Sequence, residues 1–217
     1  AHRRVDDRPR QEDEPRDEAR RQRGDDREDE RQGAGGTTHV EIGDKTTIRE
    51  YVTINSATND GEYTRVGTGC HIMAYAHIAH ACVVGNGVIM ANCSTLAGHV
   101  VIEDEAVLGG LTGIHQFVRI GRMSILGGCS KAAQDCPPYM MIDGNPARVV
   151  RPNRTGLKRR GVSEESRQQL KKAYRILYRE GLSTSQALER LRSGMHLFEE
   201  AQHLVDFIEN SERGIIR

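Results

Sequence analysis

Residues 71–102 read HIMAYAHIAHACVVGNGVIMANCSTLAGHVVI, and every sixth of them from Ile72 onward is aliphatic: Ile72, Ile78, Val84, Met90, Leu96 and Ile102. Carried outward, the same phase meets Ile42, Ile48, Ile54, Asp60 and Val66 on one side and Leu108, Ile114, Ile120 and Leu126 on the other. Asp60 alone breaks the series. A period of six fits neither a 3.6-residue helix nor the two-residue alternation of a simple strand. It is the signature of a parallel β-helix of hexapeptide repeats, here expected to be left-handed, in which short stacked strands enclose one continuous core. The fifth position of each hexad, from Thr46 through Cys70, Ala76 and Cys82 to Ser130, is small or β-branched, as a tight turn between short strands requires. Three hexads make an 18-residue coil, so residue i is expected beneath residue i+18, in layers spaced ~4.8 Å as in a sheet. The run supplies about five such coils.

Outside the repeat the composition changes twice. Of residues 1 to 31, 22 are Asp, Glu, Arg or Lys, and the only larger aliphatic is Val5. We therefore expect residues 1–36 to form a disordered charged tail, with the Gly-rich stretch Gln32 to Gly36 as a hinge into the hexads of residues 37–147. The Cys136–Pro137–Pro138–Tyr139 stretch breaks the repeat. Residues 148–162 form a basic connector, and residues 163–217 change to helical periodicity. Ser163 is placed to cap a helix with Glu164 and Glu165 in its first turn, and Leu170, Ala173, Tyr174, Leu177 and Tyr178 follow along one face. Gly181 ends that helix. A shorter one around Ala187, Leu188 and Leu191 follows, then one carrying Ala201, Leu204, Phe207 and Ile208. Together these make a small α-helical C-terminal domain.

The bulk numbers exclude some classes of function. The 217 residues carry no net charge, which argues against nucleic acid or an anionic membrane as partner. No stretch approaches the roughly 18 to 20 apolar residues of a membrane span, and no signal peptide opens the chain. Five cysteines is an odd number. Cys70, Cys82 and Cys93 lie inside the repeat and read as buried small hydrophobes of a reducing, cytoplasmic setting.

The 18-residue coil turns spacing into geometry. His80, Gly98 and Gln116 fall in one column on one edge of the prism. His77 lies three residues before His80, His99 follows Gly98 and His115 precedes Gln116, so four histidines crowd one corner. A neutral imidazole there has the chemistry of a general base toward an alcohol. A glycine one layer above lets its backbone N–H approach a reacting carbonyl as an oxyanion donor. No serine or cysteine joins the column, which points to direct acyl transfer without a covalent acyl-enzyme. The competing chemistry is zinc held by three histidines between subunits. Further along, Arg148, Arg151, Arg154, Lys158, Arg159 and Arg160 occupy a stretch from Gly144 to Ser163 that holds no acid. Guanidinium forks in that number suit a diphosphate, and an acidic carrier protein could use the same surface.

The stretches AHIAHACVVGN, TLAGHV, GGLTGIHQFVRIG, GGCSKAAQDCPPYM, GNPARV and NRTGLKRRG resemble the UDP-N-acetylglucosamine O-acyltransferase family, from about Thr38 to the closing RGIIR. The resemblance implies a cytoplasmic homotrimer with sites between neighbouring prisms and no metal or other cofactor. It also implies transfer of a 3-hydroxyacyl chain from acyl carrier protein to the glucosamine 3-position of UDP-N-acetylglucosamine, in lipid A biosynthesis. His80 then matches the general base and the Gly98 amide the oxyanion donor. His77, His99, His115 and Gln116 match substrate contacts, Gly128 the position that helps set acyl-chain length, and Asn153, Arg159 and Arg160 the uridine and phosphate contacts. The family usually has roughly four more coils before VEIGD, with a lysine and an aspartate that contact substrate, and here the charged tail stands in their place. Ala81 occupies a position often held by Asp or Asn, and Thr155 one held by Glu in some members. These departures leave two other readings open: a trimeric structural β-helix without full activity, or a related N-acyltransferase on a UDP-amino sugar.

Overall fold

The hexads fold because two of their six positions point inward. The aliphatic first position and the small fifth position are both buried in the regular layers: Ile72, Ile78, Met90 and Leu96 are 0% exposed, and so are Ala76, Cys82, Val88 and Ser94. The structure, a computed structural model, describes residues 36–194 and 196–217. The tail reading for residues 1–35 lies outside them. The fifth residue is small because it shares the narrow interior with the aliphatic one. The sharp bend itself belongs to the fourth position. Tyr75, Ala81, Cys93, His99, Glu105, Leu111, Phe117, Met123 and Cys129 all have φ between 52° and 63°, the left-handed region, and none is glycine. Each costs roughly 1–2 kcal/mol of local strain, which the repeated stacking of the layers has to offset. Cys93 is one of these, half-buried at a bend; it is not a buried core residue like Cys70 and Cys82.

Three parallel sheets form the faces of a prism. The first holds strands His39–Ile42, Tyr63–Val66, Val83–Val84, Val101–Ile102 and Arg119–Ile120. The second runs from Thr47–Ile48 through His71–Ile72, Ile89–Met90, Val107–Leu108 and Ile125–Leu126. The third runs from Thr53–Ile54 through His77–Ile78, Thr95–Leu96 and Gly113–Ile114 to Lys131–Ala132. All fourteen aliphatics of the six-residue series end one of these strands.

From the second layer upward the register is the expected 18, as in Val83↔Val101 and His77↔Thr95. Between the first two layers it is 24, as in His39↔Tyr63, Thr47↔His71 and Thr53↔His77. The expectation of an unbroken 18-residue coil therefore fails once. The hexad containing Asp60 is not a strand; it is a loop between Ile54 and Tyr63 at the corner joining the third face to the first. Asp60 keeps the six-residue phase and does another job, its Oδ1 accepting from the Thr37 amide at 2.7 Å. Exposure also distinguishes the first layer, where Ile42 is 47% exposed while Ile72 one layer up on the next face is 0%.

At the other end, strand Met140–Asp143 adds to the second sheet and pairs antiparallel with Arg148–Pro152. Four helices follow: α1 Arg154–Arg159, α2 Glu164–Arg179, α3 Thr184–Gly194 and α4 Glu199–Glu209. Ser163 caps α2, its Oγ accepting from the Ser166 amide at 3.1 Å, and Gly181 (φ 67°) follows the helix end. Leu170, Ala173, Ile176 and Leu177 of α2, Leu188 and Leu191 of α3, and Leu204, Val205 and Phe207 of α4 join the core of the prism as one apolar cluster. Polar links lock the contact. The Tyr174 hydroxyl donates to Val150 O at 2.7 Å, and His203 bridges the Tyr139 hydroxyl (2.8 Å) and Glu103 (3.1 Å). Burial pushes the Glu103 carboxyl up, but the bond from His203, the Arg122 amide and the nearby cations outweigh it and hold the group below its ordinary value.

Candidate active site

The corner joining the third face to the first is where sequence places the histidine column, and the strand register assembles it. His80, Gly98 and Gln116 are the third residues of successive hexads above His77–Ile78, Thr95–Leu96 and Gly113–Ile114, and the 18-residue register stacks them. The contact between the first two is tight. A Cβ on Gly98 would lie 2.3 Å from Cε1, 2.4 Å from Nε2 and 3.0 Å from Nδ1 of His80, so only glycine lets the backbone come this close to the imidazole. The Gly98 amide has no intramolecular acceptor among the bonds of the described residues, whereas the Gly98 carbonyl is used by Phe117 N at 3.1 Å.

Above His80 the rings continue as a stack. His99 meets His80 edge-on at 5.0 Å, and Phe117 stacks on His99 at 4.8 Å. The other histidines of the predicted corner have partners of their own. His77 Nδ1 hydrogen bonds with Thr53 Oγ1 at 2.7 Å. His115 Nδ1 lies 3.1 Å from Gln116 O and 3.3 Å from Arg213, a residue that sequence reasoning did not assign because it returns from the far end of the chain. Burial lowers the His80 pKa below the ordinary histidine value, the neighbouring His99 lowers it further, and Glu62 pulls the other way. The lowered value favours the neutral imidazole, the form that a base needs. Its Nδ1 is buried and has no hydrogen-bond partner among the described residues.

The remaining candidates lie on other corners. Arg160 forms a 2.7 Å ion pair with Glu105, at the corner between the first and second faces. Arg159 lines a cleft of about 630 Å³ together with Arg151, Arg154, Lys158, Arg167 and Lys171. Asn153 is engaged at both side-chain atoms: Oδ1 caps α1 by accepting from Gly156 N at 3.1 Å, and Nδ2 donates to Met123 O at 2.9 Å. Gly128 is exposed at the third corner, between the second and third faces, where a Cβ would meet Gly110 O at 3.3 Å. Within one chain, then, the histidine column, the basic cleft with Arg160, and Gly128 are kept apart. Among the described residues no group of three or more His, Cys, Asp or Glu is placed to hold a metal.

Glu62 is the residue that the sequence reading missed at this corner. The pairs Arg65↔Val83 and Val66↔Val84 set the strand that follows Glu62 one layer beneath the strand that follows His80, and Glu62 is the carboxylate that acts on the His80 charge. Subtracting 18 from 80 would have found it.

The chain matches the family model described as UDP N-acetylglucosamine O-acyltransferase, domain 2, over residues 135–216, and the bacterial transferase hexapeptide model over residues 63–98. Among curated relatives, an acyl-[acyl-carrier-protein]–UDP-N-acetylglucosamine O-acyltransferase of Gloeothece citriformis is 48% identical over 82% of this chain and 64% of its own length. The enzyme of that name from Thiobacillus denitrificans is 48% identical over 85% of this chain and 72% of its own. The chain thus spans about 64% of the length of the first of these relatives. Among solved structures, UDP-N-acetylglucosamine acyltransferases of Bacteroides fragilis (38% identity, TM-score 0.82, covering 85% of this chain and 72% of that one) and Arabidopsis (32%, 0.82, 86% and 68%) share the fold. Sequence and architecture agree: the chain belongs to the UDP-N-acetylglucosamine O-acyltransferase family.

Proposed function

We propose that this chain transfers a 3-hydroxyacyl group from acyl carrier protein to the 3-hydroxyl of the glucosamine of UDP-N-acetylglucosamine, with His80 as general base and the Gly98 amide as oxyanion donor. The observation that carries this reading is the close packing of Gly98 on the His80 imidazole, with the Gly98 N–H making no hydrogen bond among the described residues. His80 Nε2 takes the hydroxyl proton while the sugar oxygen attacks the thioester carbonyl. The oxyanion of the tetrahedral intermediate accepts from Gly98 N–H. Collapse breaks the C–S bond, and the proton on Nε2 passes to the departing thiolate, leaving an ester and a free thiol. The depressed basicity of His80 suits this cycle, since the imidazolium that forms readily gives its proton to the leaving group.

The cleft around Arg159 supplies the cations for a diphosphate or for an acidic carrier. Because the histidine column, Arg160 and Gly128 occupy three different corners of one prism, a complete site requires neighbouring prisms, and we infer a homotrimer with sites between subunits. Acyl-carrier-dependent transfer to the UDP-sugar by the intact chain, measured beside His80→Ala, tests the reading. Transfer by the unaltered chain and its loss in the folded variant are expected; equal rates would reject His80 as the base.

A further inference from the structure

A carboxylate stands near the proposed base. Glu62 directly precedes strand Tyr63–Val66, which lies one layer beneath Val83–Val84 in the 18-residue register (Arg65↔Val83, Val66↔Val84). The hydrogen bond from Ala81 N to Thr64 Oγ1 at 2.8 Å ties the chain neighbour of His80 to that strand, two residues from Glu62. Layers of such a stack are ~4.8 Å apart, a gap that a glutamate side chain spans. The loop carrying Glu62 is itself braced, with Glu62 Oε2 accepting from Asn59 N (3.3 Å) and Asn59 Nδ2 (3.0 Å) and Glu62 N donating to Asn59 O (3.0 Å). Oε1 takes part in none of these bonds.

A base acting through Nε2 must carry its ring proton on Nδ1. In His80 that nitrogen is buried without an acceptor among the described residues, a state that is unfavourable if nothing ever satisfies it. Ala81, the chain neighbour, has no polar side chain to offer.

We propose that Glu62 is a positioning residue for His80, its carboxylate accepting from Nδ1–H across the layer gap to orient the ring and to stabilise the imidazolium formed during acyl transfer. The role is that of the acid in a Ser-His-Asp triad, which orients the imidazole and stabilises its charged form. The charged or titratable groups acting on His80 are His99 from the layer above, which opposes the imidazolium, and Glu62 from below, which favours it. The proposal rests on the acyl-transfer reading of His80, and its test separates the two.

The test is Glu62→Gln in the full chain, followed by NMR titration of the His80 ring and by the kcat and KM of transfer. We expect the His80 midpoint to fall by roughly half a pH unit or more, as loss of a neighbouring opposite charge dictates. We also expect kcat to fall by about 10- to 100-fold, less than the ~10²–10⁴-fold that the acid–base group itself contributes, with KM for the UDP-sugar unchanged. Glu62→Asp should retain an intermediate rate. Ala81→Asp in the Glu62→Gln background should recover part of kcat by supplying an acceptor from the adjacent residue. An unchanged His80 midpoint in Glu62→Gln overturns the proposal, even if the rate falls. If the unaltered chain transfers no acyl group, the functional reading fails, and the titration alone still decides whether Glu62 acts on His80.

Discussion

Two corners of the same prism, built on the same hexad geometry, have opposite characters. At the corner between the first and second faces, side chains close off the backbone: Thr68 N donates to Asn86 Oδ1 at 2.9 Å, and Asn86 N to Asp104 Oδ1 at 2.7 Å, making a ladder up the stack. At the corner between the third and first faces the corresponding residues are His80 and Gly98, and neither caps the amide below it. In the layers of His80 and Gly98 the bend does not distinguish them: φ is 55° at Ala81 and 58° at His99, against 63° at Gly87 and 61° at Glu105. The residue at the third hexad position does: an Asn or Asp folds back on its neighbour's N–H and makes the corner structural, while a histidine topped by a glycine leaves donor and base open for chemistry.

The comparison breaks most visibly at His80. His80→Ala should lower transfer by about 10²–10⁴-fold, the usual worth of a general base, with little change in melting temperature. Gly98→Ala comes next. Its new Cβ falls on the imidazole edge, so the ring must move; overpacking of this kind costs about 1–3 kcal/mol, and the variant should lose both stability in a denaturant melt and most of its rate. On the closed corner the expectation reverses. Asp104→Ala removes the acceptor of the Asn86 amide and should cost about 0.5–1.5 kcal/mol of stability, with kcat unchanged.

A fourth, smaller effect sharpens the electrostatics. Burial and His99 disfavour the imidazolium, so His80 stays neutral further into acid than an ordinary histidine, and the acidic limb of kcat/KM should fall at a pH below the ordinary histidine value. Removing the charge of the other ring by His99→Gln should shift that limb upward, toward the ordinary value. The smallest effect belongs to Glu105→Gln. It loosens the partly exposed ion pair to Arg160 and should change stability by no more than about 1 kcal/mol, as double-mutant analysis against Arg160→Gln would measure.

Much of this was legible in sequence because a hexapeptide repeat converts spacing directly into contact. The aliphatic series marks the strand ends, and subtraction of 18 stacks Gly98 on His80. What the period hid was its own interruption. Asp60 keeps the six-residue phase while its hexad leaves the prism as a loop, so the first layer sits 24 residues beneath the second and Glu62 went unnoticed. The strained fourth positions were hidden for another reason: residues such as Tyr75, Leu111 and Phe117 do not signal a left-handed φ, and only the stack imposes it. Contacts between distant segments, such as Tyr139 with His203 or Arg213 with His115, leave no periodic trace. Charge and family resemblance mark Arg160 as a phosphate contact; that it pairs with Glu105, 55 residues earlier, emerges only when the basic segment is folded back on the prism.

The most direct test sets the two corners against each other in one assay: acyl-carrier-dependent transfer to UDP-N-acetylglucosamine by the intact chain, His80→Ala and Asp104→Ala, each with its melting curve. The account predicts that His80→Ala keeps its melting temperature and loses transfer, while Asp104→Ala melts lower and keeps its kcat. Transfer undiminished in His80→Ala, or lost in Asp104→Ala at a temperature where that variant is folded, would contradict it.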